Sequence, residues 1–169
     1  MRKMLGLVVA VLLFGLPYVY GDEILNLKEK IIELQNQGEL KIESLTSCSK
    51  INGFGSYVAL GGQPRVKNGE RFLVYFEPVN YFTKKTSLLY EINLSEDMLV
   101  LNEKVEIIWG KENAVSYHYN SVEPVLDLFI TNAIDIKDIP EGKYTFKAVL
   151  NDRLKGKSAV KTLFFEVIK

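Results

Sequence analysis

From Leu40 to the C-terminus, apolar side chains recur at every second position in one short run after another. Side chains two positions apart lie on the same face of a β-strand, so each run has one face for a core and one wetter face. We count seven to nine such strands, and no helical pattern separates them. The pattern predicts one all-β domain, an antiparallel β-sandwich over residues 39–169. Its clearest apolar positions are Phe72, Val74, Phe76, Tyr90, Ile92, Leu94, Val105, Ile107, Trp109, Leu126, Leu128, Ile130, Tyr144, Phe146, Leu150, Leu163, Phe165 and Val167.

The end of the chain indicates which kind of sandwich this is. In Pro140-Glu-Gly142 the proline supplies the fixed φ of a turn and the glycine closes it. An alternating strand follows, a polar loop around Gly156 turns the chain back, and a last strand ends near Val167. This succession is typical of an immunoglobulin-like β-sandwich, which is the fold class that we predict. Four aromatic residues are expected mostly inside it: Trp109, Tyr144, Phe146 and Phe165.

The same segments resemble the C-terminal part of a group of uncharacterised secreted bacterial proteins. In that group a Leu-Pro-Pro-Gly-x-Tyr turn precedes a strand, an Asp and a Ser-Gly-Lys loop; here Glu141 replaces the second Pro and Lys155 precedes Gly156. The resemblance covers about Gly53 to Val167, with a gap in the middle. It implies a sandwich and a location in the bacterial envelope, and it implies no activity. The residues that carry it are Leu128–Asn132, Ile139–Tyr144, Asp152, Gly156–Ala159 and Phe165–Val167, with Gly53–Tyr57 and Leu73–Phe82 upstream.

Residues 1–21 read as a signal peptide. Arg2 and Lys3 precede an apolar run from Leu5 to Leu16, and Val19-Tyr20-Gly21 suits cleavage before Asp22. The apolar run is much shorter than the roughly 20 residues that span a bilayer. We therefore predict an exported protein, periplasmic or extracellular, that is not an integral membrane protein once cleaved. An uncleaved anchor is the alternative.

Residues 22–38 show a helical period before the strands begin. Ile24, Leu27, Ile31 and Leu34 recur at steps of three, four and three, and Gly38 suits the end of a helix. The pattern predicts an amphipathic helix. We expect its apolar stripe to dock on the sandwich, and a helical stalk or a dimer contact is the alternative.

Charge and cysteine content narrow the classes of partner. Without Arg2 and Lys3, 19 basic residues face 21 acidic ones, a net charge near −2. A chain so balanced is not expected to have nucleic acid as a partner.

Cys48 is the single cysteine, so no internal disulfide can form. We expect it to be a buried small apolar residue, with a thiol that links two chains as the alternative.

The residues that catalysis or metal binding needs are sparse in this chain. One histidine and one cysteine offer no zinc-binding spacing, so we expect no metal, no cofactor and no enzymatic activity. A glycosidase would need a pair of carboxylates. Asp residues beside turns usually bond their own backbone instead. The acidic residues considered for such a pair are Asp127, Asp135, Asp138 and Asp152.

One aromatic segment is a candidate binding site. Exposed aromatic rings on a sandwich can stack on sugars or peptides, although tyrosines that alternate along a strand also suit ordinary packing. The candidates are Trp109, Tyr117, His118 and Tyr119. We predict a non-catalytic binding or assembly module of the bacterial cell envelope that acts through protein–protein contacts, with an envelope protein as its partner. The alternative is a carbohydrate-binding module that uses the aromatic side chains near Trp109 and Tyr119.

Overall fold

The computed structural model describes residues 18–169. The predicted signal peptide lies outside these residues except for its last four, so its cleavage stays a prediction. One helix and ten strands make up the described part of the chain. They are α1 (Tyr18–Gln37), β1 (Lys41–Gly53), β2 (Ser56–Ala59), β3 (Arg65–Lys67), β4 (Arg71–Val79), β5 (Lys84–Lys85), β6 (Tyr90–Leu101), β7 (Ile107–Ser121), β8 (Ile130–Asp135), β9 (Gly142–Asp152) and β10 (Lys157–Ile168).

The strands form two sheets. Sheet A has the order β2-β1-β4-β8, and sheet B has the order β3-β10-β9-β6-β5, with β7 also paired to β6. Sheet B curls into a half-barrel. The prediction of an all-β domain behind one short helix is therefore confirmed. Two details differ, because ten strands exceed the predicted seven to nine and because β3 runs parallel to β10.

The core lies between the sheets and follows the two-residue period. The rings of Phe72 in sheet A and Phe165 in sheet B stack with centroids 4.5 Å apart. Tyr144, Phe146 and Phe165 are buried, as predicted. The prediction for Trp109 is wrong, since 36% of it is exposed. It lies on an edge strand that pairs with β6 alone, and every residue from Ile107 to Asn113 is exposed.

A polar contact inside the core joins the two sheets. The amide of Asn132 on β8 donates a hydrogen bond of 2.8 Å to Oε1 of Glu96 on β6. Burial raises the pKa of the Glu96 carboxyl to about 8, against a smaller opposing effect of the Asn132 hydrogen bond. Its second oxygen, Oε2, is buried without a hydrogen-bond partner. Cys48 is also buried, as predicted, and burial raises the pKa of its thiol.

Helix α1 lies against the β domain through its polar side. Asn36 donates to the carbonyl of Thr83 at 2.9 Å and accepts from the Thr83 amide at 2.8 Å. Gln35 donates to the carbonyl of Tyr81 at 2.7 Å. Ion pairs of 2.7 Å join Glu29 to Lys85 and Lys28 to Glu123. These contacts fix the helix on the domain.

The apolar stripe of α1, defined by Ile24, Leu27, Ile31 and Leu34, is not packed against the β domain. These four residues are between 49% and 69% exposed, whereas Ile32 is buried. The prediction that the stripe itself docks on the domain is therefore wrong. The periodicity shows which side chains share a face of the helix. It does not show which face docks, and here a polar face docks because its groups match those of the loop after β4.

Candidate functional site

One end of sheet B carries a trough with a volume of about 720 Å³. We call it the end trough. Residues of β9 and β10 form its floor, the loop before β3 forms one wall, and the turn between β6 and β7 forms the other. Its lining residues are Gly62, Gln63, Asn102, Glu103, Val105, Lys143, Tyr144, Thr145, Thr162, Leu163 and Phe164.

The floor is built by strand alternation. Phe165 and Tyr144 are paired and buried, so their neighbours Phe164 and Thr145 pair on the outer face of the sheet. Phe164 is 64% exposed. Directly opposite residues in an antiparallel sheet share a face. Phe164 on β10, Thr145 on β9 and Leu101 on β6 therefore form one row across the outer face. The floor therefore presents an exposed aromatic ring beside a hydroxyl group.

The turn of residues 102–106 forms one wall. Oδ1 of Asn102 accepts hydrogen bonds from the amides of Lys104 at 2.9 Å and Glu106 at 3.0 Å. The Val105 amide donates to the carbonyl of Asn102 at 2.9 Å. Val105 has a φ of 64°, in the left-handed region that β-branched residues rarely occupy. The turn thus holds an exposed apolar side chain over the trough in a strained conformation.

Glycines shape the opposite wall. Gly61 and Gly62 have φ values of 68° and 54°, which a residue without Cβ adopts at little cost. Beyond them the carbonyl of Pro64 accepts a hydrogen bond of 2.9 Å from the Glu166 amide, and β3 begins beside β10. This contact fixes the wall, including the amide side chain of Gln63, to the edge of sheet B.

The electrostatics of the trough are balanced. It is lined by one cationic side chain, Lys143, and one anionic side chain, Glu103. The hydroxyl of Tyr144 donates to the carbonyl of Pro140 at 2.7 Å, and burial raises the pKa of that phenol. The lining residues include no histidine, cysteine or aspartate. The arrangement suits recognition by shape and neutral hydrogen bonds.

The four residues predicted for binding lie on β7 but not in one cluster. Tyr117 and Tyr119 pair with Leu94 and Ile92 on the core side of the sheet, with ring centroids 5.8 Å apart. His118 lies on the opposite face, where its Nε2 is 3.1 Å from Oε1 of Glu91. Trp109 is eight residues from Tyr117, about 25 Å along an extended strand. The structure does not bring Trp109, Tyr117, His118 and Tyr119 together.

Phe164 and Gln63 line the end trough but were not predicted as site residues. A usable signal was present, because Phe164 and Phe165 are consecutive and two neighbours on a strand face opposite sides. One of the two rings must therefore lie outside the core. Nothing comparable in the sequence marks Gln63, whose position depends on the pairing of β3 with β10.

Two of the four acidic residues considered for catalysis, Asp135 and Asp152, have structural contacts. Oδ1 of Asp152 accepts hydrogen bonds of 3.0 Å from the amides of Leu154 and Lys155, and Oδ2 accepts one of 2.6 Å from Phe82. Asp135 pairs with Arg71 at 2.9 Å. Between residues 18 and 169, no three His, Cys, Asp or Glu side chains lie close enough together to hold a metal ion. None of the helices in that range is long and apolar enough to cross a membrane.

Comparisons with known proteins give likenesses in structure but none in sequence. No protein-family model matches the sequence, and no curated protein matches it. A solved structure of the Pseudomonas fluorescens alkylpurine DNA glycosylase AlkC, bound to DNA containing an abasic-site analog, aligns with a TM-score of 0.43 and 11% identity. The alignment covers 86% of this chain and 36% of the glycosylase. This chain therefore corresponds to about a third of that protein's length.

Two predictions are corrected on this finding. One is the envelope module that acts through protein–protein contacts or, as the alternative, binds carbohydrate; the other is the exclusion of nucleic acid as a partner. The physical reason is that net charge describes the whole chain and not its local surfaces, and that a fold does not fix a partner. A likeness of this size puts nothing in their place, since it carries no argument about what this chain binds.

Proposed function

We propose that this chain is a non-enzymatic ligand-binding domain that holds a small, uncharged, amphipathic molecule in the end trough. The observation that carries the proposal is the combination of an exposed aromatic floor with polar rims in a concavity of about 720 Å³. Its volume falls within the range of roughly 300–1,000 Å³ that is usual for small-molecule sites.

The lining indicates the class of ligand. The ring of Phe164 offers an apolar face on which a flat or alicyclic group can lie. Gln63, Thr145 and Thr162 offer amide and hydroxyl groups around it. Lys143 and Glu103 carry opposite charges, which favours an uncharged ligand over an ionic one. The lining offers no paired nucleophile and base, which supports binding without chemistry.

The finer description of the fold belongs to the same proposal. We regard the sandwich as immunoglobulin-like because three features support it. The chain crosses from sheet A to sheet B between β8 and β9. The Tyr144 hydroxyl bonds back to Pro140 at that corner, as a tyrosine corner does. The last strand, β10, lies between β9 and the parallel strand β3.

Export is also proposed, on the basis of residues 1–21 and of the resemblance to secreted bacterial proteins. Mass spectrometry of the protein recovered from the medium or the periplasm tests it. We expect an N-terminus at Asp22. A product that begins at Met1 and needs detergent for extraction would contradict cleavage.

The ligand site is tested by fragment screening with amide chemical-shift mapping. We expect uncharged aromatic and alicyclic alcohols to shift the amide signals of Thr145, Thr162 and Phe164. Phe164→Ser should abolish these shifts. Val160→Ser is the matched control, since Val160 is also exposed on the outer face of β10 but lies outside the trough. Fragments that bind elsewhere, or that bind both variants equally, would show that the trough is not the site.

A further inference from the structure

The apolar stripe of α1 is exposed on a helix that cannot turn to hide it. Hydrogen bonds and ion pairs hold the polar side of α1 on the sandwich, so Ile24, Leu27, Ile31 and Leu34 stay on the outside. We propose that this stripe pairs in parallel with the same stripe of a second copy of the chain, which makes the protein a homodimer.

The identity of the stripe residues favours this occupant. Their spacing places Ile24 and Ile31 at the a positions of two heptads and Leu27 and Leu34 at the d positions. Isoleucine at a with leucine at d is the combination that favours parallel, two-stranded coiled coils. A partner that only covered an apolar surface would not require isoleucine at the a positions and leucine at the d positions.

Charge at the flanks favours the same arrangement. In a parallel pair, each g position faces the following e position of the other helix. Glu23 then approaches Lys28 of the second copy, which is paired at 2.7 Å with Glu123 of its own chain, so Glu23 adds a second carboxylate to that ion pair. The symmetry of the dimer repeats this contact. An antiparallel pair with the stripes in register would instead bring Lys30 next to Lys30 of the second copy. Glu23 and Lys30 are both exposed and available.

The sandwich adds a second wall to the seam. Two hollows of about 360 Å³ each lie between α1 and the domain, one beside Ile31 and Leu34 and the other beside Ile24. Phe54 and Leu126 line the first from the domain side, and Val122 lines the second. A helix laid along the stripe therefore also meets apolar groups of the sandwich. A coiled coil of only two heptads has marginal stability by itself. Here the contacts of α1 with its own domain already hold the helix in its folded form.

Sedimentation equilibrium of the protein as purified after export tests the proposal. We expect a monomer–dimer equilibrium for the native chain and a monomer for the double variant Leu27→Ser, Ile31→Ser. The control is Val58→Ser, Leu60→Ser, which changes two residues of similar exposure on and just after β2 and should dimerise normally. A native chain that stays monomeric into the high micromolar range would overturn the proposal. So would a seam variant that still dimerises.

Two further tests distinguish loss of dimerisation from loss of folding and determine the relative direction of the two helices. Glu23→Lys leaves the apolar seam intact and should weaken the dimer about tenfold. In a Cys48→Ser background, Leu27→Cys should cross-link to itself on oxidation, since a parallel pair places equal residues side by side. Cross-linking only between Leu27→Cys and Ile31→Cys chains would overturn the parallel arrangement. Co-sedimentation of a monomeric native chain with phosphatidylcholine vesicles would show that lipid covers the stripe instead.

Discussion

Glu96 is a buried acid whose pKa differs from that of an ordinary carboxyl group. Its pKa of about 8 in the folded state lies above the usual 4.5. The folded protein therefore holds a proton that the unfolded chain releases over this interval. The stabilising effect of that proton is complete below about pH 4.5 and is lost as the pH rises toward 8.

We expect the free energy of unfolding of the native protein to fall by about 1–3 kcal/mol between pH 5 and pH 8, measured by urea denaturation. Glu96→Gln should remove most of this dependence, because its amide oxygen still accepts the Asn132 hydrogen bond without ionising. Glu43→Gln, which changes an exposed carboxylate on β1, should leave the dependence in place. A native protein that becomes more stable over this interval would show that Glu96 is ionised in the fold.

Val105 illustrates strain at a single residue. Glycine has no Cβ to clash at a φ of 64°, so Val105→Gly should raise the free energy of unfolding by about 1 kcal/mol. Val122→Gly is the control, since the two valines are equally exposed. Val122 has no positive φ, and its replacement should destabilise the protein by about 0.5–1 kcal/mol. Equal effects in thermal or urea unfolding would mean that the turn is not strained.

At the scale of elements, α1 depends on its polar side. Asn36→Ala removes both hydrogen bonds to the backbone of Thr83, leaving buried groups unpaired, and should cost about 1–3 kcal/mol of stability. Asn26→Ala, on an exposed part of the same helix, should cost little. Amide hydrogen exchange of α1 should become faster in the first variant and stay unchanged in the second. The opposite ranking would mean that other contacts hold the helix.

Strand β7 shows why an element can be predicted correctly and interpreted incorrectly. The alternation of Val105, Ile107 and Trp109 indicates a strand, and a strand does begin at Ile107. The alternation carries no information on whether another strand covers the core-facing side. Trp109 is therefore exposed although it faces the same side as its partner Val100, and Val105 belongs to the turn.

For the whole molecule, the sequence predicts the composition of the fold better than its assembly. The all-β domain, the single helix of residues 18–169 and the buried residues Tyr144 and Phe165 follow from the periods of the pattern. The outward stripe of α1 and the end trough do not. Both depend on which surfaces meet across long stretches of chain, and a local period contains no such information. Phe164 is the part of the trough that two consecutive aromatic residues could have revealed.

The place of β10 in sheet B decides when this protein can fold. β3 ends at Lys67 and β10 begins only at Lys157, yet β3 pairs with β10 alone. Sheet B therefore stays incomplete until residues 157–168 have been synthesised. A chain that stops before β10 leaves strand edges open on both β3 and β9, and open edges are where chains join and aggregate. Stop codons just before residue 157 should therefore yield aggregates rather than a slightly shortened domain.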